Sequence, residues 1–210
     1  MKTILNKIVA DQIIHCKWLN TLSFMENAGA RKISACEDKV KTGIIQLKHA
    51  AEEHRHAYYL KKQIAKLDCS GFDYYEPSSL IGGQSSQQYL HRLDVKTSRY
   101  IKEHFNLFGQ ELKYAAYLFV TYAIEVRADE LYPIYQEVLT EHASKVVVKS
   151  IILEEEGHLE EMINQLNDFD PSWEKHAKEI LLIESDLFDN WLISIAKELG
   201  LNECSAVSAS

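Results

Sequence analysis

Proline and glycine are scarce in this chain, three and eight among 210 residues. An all-β fold needs frequent turns, so this scarcity leaves little room for one. The four cysteines, Cys16, Cys36, Cys69 and Cys204, form no Cys-x-x-Cys pair, which removes zinc-knuckle, rubredoxin and thioredoxin chemistry. A basic excess is missing too. With 23 Lys+Arg against 31 Asp+Glu the formal net charge is −8, which argues against nucleic acid or an anionic membrane as partner. No apolar run is long enough to span a bilayer, and Lys7 and Asp11 break the Met1–Ile14 stretch where a secretory signal needs continuity. The expected setting is therefore the reduced cytoplasm. What the chain does have is apolar content, 46% of its residues, enough for one ordered globular domain. We expect a single helical domain over residues 1–201 and a flexible, small and polar tail over 202–210.

Helical periodicity fills most of that domain. From Ile13 to Ile33, Trp18, Leu22, Met25, Glu26 and Gly29 recur every three or four positions. Cys36–Lys39 reads as a turn. A second helix is expected from about Val40 to Leu67, with Ile45, His49, Glu53, His56, Leu60 and Ile64 on one face. Residues 68–86, with Pro77 and Gly82-Gly83, are less regular, and a shorter helical pattern runs through Leu90, Leu93, Tyr100, Ile101 and Phe105. The third long helix spans about Gln110 to His142, with Leu118, Tyr122, Glu125, Ala128 and Tyr132 on one face and a kink or irregularity expected at Pro133. After a turn at Ala143-Ser144, a fourth helix aligns Val148, Ile151, Glu155, His158 and Met162. A fifth is expected to start at Pro171 with Asp170 as its cap and to run to Gly200.

Two short strings carry chemistry: Glu53-His54-Arg55-His56 and Glu155-Glu156-Gly157-His158. On a helix, positions i and i+3 share a face, so each Glu-x-x-His can offer a carboxylate and an imidazole to one ion. A single such string arises by chance; the arrangement of two is the signal. Glu26 lies about eleven residues before the first turn and Glu53 about fourteen after it; Glu125 lies about sixteen before the second turn and Glu155 about thirteen after it, which at roughly 1.5 Å per residue brings each pair to similar height. All six groups, Glu26, Glu53, His56, Glu125, Glu155 and His158, interrupt apolar stripes, where an unpaired ion would be costly. Behind them, Glu52 and Glu154 each precede a ligand carboxylate, and we expect Glu52 to reach His158 and Glu154 to reach His56, fixing the imidazoles. His49 and His54 read as ordinary structural histidines, although His49 shares the Glu53 face and could reach the upper edge of the site, and Glu156, Glu160 and Glu161 read as a solvated face. Tyr122, one turn before Glu125, is a candidate to donate a hydrogen bond or an electron.

These residues resemble the ligand pattern of the ferritin-like di-iron carboxylate superfamily, in which two helices give a Glu each and two give Glu-x-x-His. The resemblance covers about residues 10 to 167. It implies an all-α fold: a four-helix bundle with a long crossover after the second helix, plus here an additional C-terminal helix. It also implies two iron ions, with manganese or a mixed pair as alternatives. Rubrerythrins carry a further Glu where this chain has Ala128, and bacterioferritin has its haem-ligating Met where this chain has His54. Compact di-iron oxygenases remain. That resemblance implies an oxidoreductase that uses dioxygen and an external electron donor on a small organic substrate, as a monomer or homodimer. The alternative is iron oxidation and storage, or peroxide detoxification, of the ferritin and bacterioferritin kind.

Overall fold

The computed structural model describes residues 1–201, apart from the side chain of Glu156. Cys204 and the expected tail therefore lie outside the described residues. Seven α-helices and no strand occur among the described residues: α1 (Lys2–Ala10), α2 (Gln12–Ala35), α3 (Ile44–Ile64), α4 (Gln84–Phe105), α5 (Gly109–Glu141), α6 (Lys149–Phe169) and α7 (Trp173–Glu198). None is long and apolar enough to cross a membrane.

Helix α1 was not expected. Asp11 ends it and caps the next helix, its side chain accepting from the N–H groups of Ile13 and Ile14. Ile4, Leu5 and Ile8 bury almost completely against α2 and α5, so the segment is held by tertiary packing that a short local pattern does not reveal. α3 is shorter than expected at both ends. Asp38 accepts from Val40 and Lys41 N–H in an Asx-type turn before it, and the chain leaves it through a 3₁₀ turn to Asp68 at φ 53°. α5 runs without interruption through Pro133. It closes at Ala143, which takes φ 48° so that Ser144 N–H reaches Leu139 O. α7 begins at Trp173 rather than Pro171. Asp170 accepts from the Ser172 N–H and hydroxyl, so it closes a turn ahead of the helix instead of capping it.

α2 lies along α3 and α5 along α6, two hairpins that face each other. α2 and α5 run antiparallel: Trp18 stands edge-on to Tyr135 at 5.9 Å, Tyr132 hydrogen-bonds to Glu26, and Gln110 reaches Cys36 O. α4 and α7 pack on each other and both against α5. Apolar side chains form two cores. One, around Trp18, Leu22, Tyr135 and Trp191, is joined by α1; the other gathers Ile33, Leu118, Met162 and Ile180. A layer of ionisable groups on α2, α3, α5 and α6 falls between those two sets.

Candidate metal centre

Glu26 stands on α2, Glu53 and His56 on α3, Glu125 on α5, and Glu155 and His158 on α6. The structure brings all six together. They form two overlapping groups of four, Glu26, Glu53, His56 and Glu155, then Glu53, Glu125, Glu155 and His158. Within each group, one ligand atom per residue lies within 4.8 Å of all the others. Glu53 and Glu155 belong to both groups. Glu26 is half-buried and the other five are buried.

Four carboxyls and two imidazoles, five of the six buried, are not balanced by their own charges. Burial, then the charges of Glu26 and Glu155, hold the Glu53 carboxyl well above its usual range. Burial and Glu155 do the same to Glu125. Burial also opposes charge on Glu155, but hydrogen bonds with Glu125 and His158 and the nearby charge of His56 win and hold it below the ordinary carboxylate range. Burial opposes charge on His56, yet Glu155, Glu26 and Glu154 push its pKa to about 9.

The two imidazoles are oriented from outside. Nε2 of His158 donates to Glu52 Oε2 at 2.7 Å, and Nε2 of His56 donates to Glu154 Oε2 at 2.7 Å. Because a carboxylate only accepts, these contacts place the proton on Nε2 and turn Nδ1 toward the cluster. Arg55 forks onto Glu154 with two bonds of 2.7 Å, holding it from the surface. Nδ1 of His56 lies 3.1 Å from Glu155 but lacks hydrogen-bond geometry, and it is a buried polar atom without a hydrogen-bond partner. An orphaned nitrogen grouped with three carboxyls is what a divalent cation would complete, and the oxygen and imidazole donors suit iron or manganese. The residues fit such a group.

Tyr122 is not brought to this cluster. A three-residue step turns the helix by about 60° short of a full circle, and its ring stands edge-on to Trp173 of α7, 5.2 Å away at 80°. Tyr132 takes the place expected of it, donating its hydroxyl to Glu26 Oε1. It shares the α5 face already read from the sequence, but only the α2–α5 packing picks it out. His49 is buried, with its ring 4.9 Å from that of His158, and Glu161 links it at 2.8 Å to Lys48, so Glu161 is more than a solvated acid. Glu160 is exposed as expected, and His54 is exposed as well, away from the cluster.

A cavity of about 110 Å³ opens onto Glu26, Glu53, Glu125 and Glu155. Its remaining wall is mostly apolar, from α2, α4, α5 and α7. Gly29 borders it one turn beyond Glu26, and a Cβ there would meet Glu53 Oε2 at 3.6 Å. A second buried polar group lies in the same wall. Glu184 accepts from Tyr89 at 2.5 Å and from Arg127 at 2.9 and 2.7 Å, and Arg127 also reaches Glu130. No local motif in the sequence marks these residues. Comparisons with protein families, curated proteins and solved structures found no match.

Proposed function

We propose that the chain is a two-metal carboxylate oxygenase of the ferritin-like type, which uses dioxygen to oxidise an organic substrate. The observation that carries this reading is the sharing of Glu53 and Glu155 between two four-residue groups, beside an apolar cavity. Glu26 and His56 would hold one ion, Glu125 and His158 the other, with Glu53 and Glu155 common to both. Two iron ions, or manganese in their place, would supply the redox chemistry with dioxygen.

The protein's own share is positioning and exclusion. Glu52 and Glu154 keep the histidine protons on Nε2, so that Nδ1 is free to bind. Tyr132 restrains Glu26, the ligand most open to solvent. The apolar wall keeps bulk water from the reacting carbon. Inserting one oxygen atom of dioxygen into a C–H bond releases the other as water and consumes two electrons and two protons, so an external reductant is part of the reading.

Anaerobic loading with ferrous iron, then oxygen exposure with metal content and particle size followed together, tests it. We expect two metals per chain, oxygen uptake and a monomer or dimer. A closed shell that accumulates hundreds of irons as a mineral would replace this reading with storage.

A further inference from the structure

We infer that the groove between α4 and α7 is the docking surface for a small acidic electron-carrier protein, held by a stripe of cations on α4 directly outside the Tyr89 and Trp191 wall of the cavity. This rests on the reading of the six-residue cluster as an oxidising metal centre, which draws its electrons from outside the chain.

Charge sets this face apart. Arg92, Lys96, Arg99 and Lys102 are all exposed and follow one another along α4 at steps of four, three and three, so they form one stripe. α4 carries only two acids: Asp94 is taken up by Lys32, and Glu103 stands in the last turn. Asp186 of α7 lies 3.6 Å from Lys96, but their side chains are 64% and 47% exposed, and a pair of that kind is worth little. Arg92 donates to the neutral Gln88 Oε1 at 2.8 Å, and Lys102 stands over the Phe108 ring. Among the described residues, Arg92, Arg99 and Lys102 have no acid as partner. The chain as a whole has a net charge of −8 and repels an acidic protein. A local cationic stripe then decides where such a partner lands.

Arg92, Lys96 and Arg99 line a groove of about 760 Å³ whose far side is α7. Gln88 and Asn190 add neutral hydrogen-bonding groups, and Val95, 43% exposed, adds apolar surface between the cations. Cations around a small mixed patch suit a weak, quickly released partner. Electron-transfer encounters bury little area and depend on charge for their speed and orientation.

The position of the groove selects an electron carrier among acidic proteins. Tyr89 and Trp191 line it from outside and line the cavity from inside. Their rings stack 5.6 Å apart at 15°. Tyr89 is held by Glu184, and Trp191 Nε1 donates to Ser86 Oγ at 2.7 Å. Two fixed rings therefore separate the surface from the space that opens onto Glu26, Glu53, Glu125 and Glu155. Electron tunnelling decays steeply with distance, and less steeply through packed atoms than across a gap, so a carrier seated here stands one packed layer from the cavity. Each encounter oxidises the carrier by one electron. Two encounters supply the two electrons of the proposed oxidation, whose two protons come from water, and no bond in the carrier forms or breaks.

Flavodoxin, an acidic carrier, and cytochrome c, a basic one, are the probes. Flavodoxin titrated into ¹⁵N-labelled, metal-free protein should shift amide signals of α4 and α7 around the groove. Its affinity should weaken about tenfold or more between about 10 mM and about 150 mM salt, as the screening length falls from roughly 30 to 8 Å. Cytochrome c should leave those signals in place. Arg92→Glu combined with Arg99→Glu should weaken flavodoxin about tenfold or more. Lys7→Glu combined with Lys66→Glu makes the same change of charge at exposed lysines on other elements and should weaken it less than about threefold. Both double variants should keep the circular dichroism and the Mn²⁺ content of the parent. In iron-loaded protein, oxidation of flavodoxin hydroquinone followed by stopped flow should slow in the arginine variant by the same factor as binding. No flavodoxin binding, shifts centred on another face, an affinity indifferent to salt, equal effects of the two double variants, or cytochrome c seated in the groove would each overturn the inference. Flavodoxin docking in the groove of a chain that takes up neither iron nor Mn²⁺ would instead refute the metal reading on which it rests.

Discussion

Glu184 and Glu155 are both almost fully buried carboxylates, 2% and 3% exposed, and both belong to polar groups beside the same cavity. Their surroundings differ in kind. Around Glu184, each carboxylate oxygen meets a donor: Tyr89 and Arg127 Nε on one, Arg127 Nη2 on the other. Charge and hydrogen bonds close within the protein. Around Glu155 the neighbours are three more carboxyls and two imidazoles, one with an orphaned Nδ1. That group is incomplete by its own chemistry. Burial of a charge is thus no mark of function by itself; what separates the two is whether the protein supplies the partner or leaves the place for a cation.

The largest expected effect lies in the incomplete group. Glu155→Ala removes a residue common to both sets of four, so metal content measured by mass spectrometry should fall from two per chain to near zero, while the helical spectrum is retained. Glu184→Ala should behave in the opposite way. Loss of the carboxylate strands a half-buried guanidinium and a buried phenol, a change that costs about 3 kcal/mol, read as an earlier urea midpoint with metal stoichiometry unchanged in the folded fraction.

The pH dependence of the incomplete group sharpens the contrast. His56, whose folded pKa is raised to about 9, contributes stability that is complete below its unfolded value of 6.5 and is lost as pH climbs through 9. His158, Glu53 and Glu125 are shifted upward as well and act in the same sense, while Glu155, shifted downward, has made its whole contribution before neutrality. Between pH 6.5 and 9 the metal-free protein should lose on the order of 3 kcal/mol from His56 alone. With saturating Mn²⁺ the trend should reverse, because the ligands bind only when deprotonated. Urea titrations at the two pH values, with and without the ion, check both signs.

Smaller effects probe the supports. Glu52→Ala should weaken metal affinity by about ten- to a hundredfold through His158, whereas Glu160→Ala, an exposed acid on the same helix as His158, should leave it unchanged. Equal effects would reduce Glu52 to a surface charge. Tyr132→Phe should weaken metal affinity by about tenfold or less, the net worth of one ordinary hydrogen bond, and Tyr122→Phe should not alter it.

The sequence by itself determined the helical class and which residues meet. Helical period puts Glu53 with His56 and Glu155 with His158, and the distance of each acid from its turn puts Glu26 level with Glu53 and Glu125 level with Glu155; both are one-dimensional facts about regular helices. The long helices were legible for the same reason, because their apolar stripes repeat over many turns. Helix α1 was not, since nine residues hold little pattern and its stability comes from packing on α2 and α5. Only the tertiary structure decided that Glu53 and Glu155 are the shared pair, that Tyr132 and not Tyr122 reaches the acids, and that Glu184 finds Arg127 across 57 positions of chain. It also decided that a cavity with a mostly apolar wall opens onto four of the acids. Each of these depends on how one helix is rotated and set against another, and spacing along a single helix does not encode that angle.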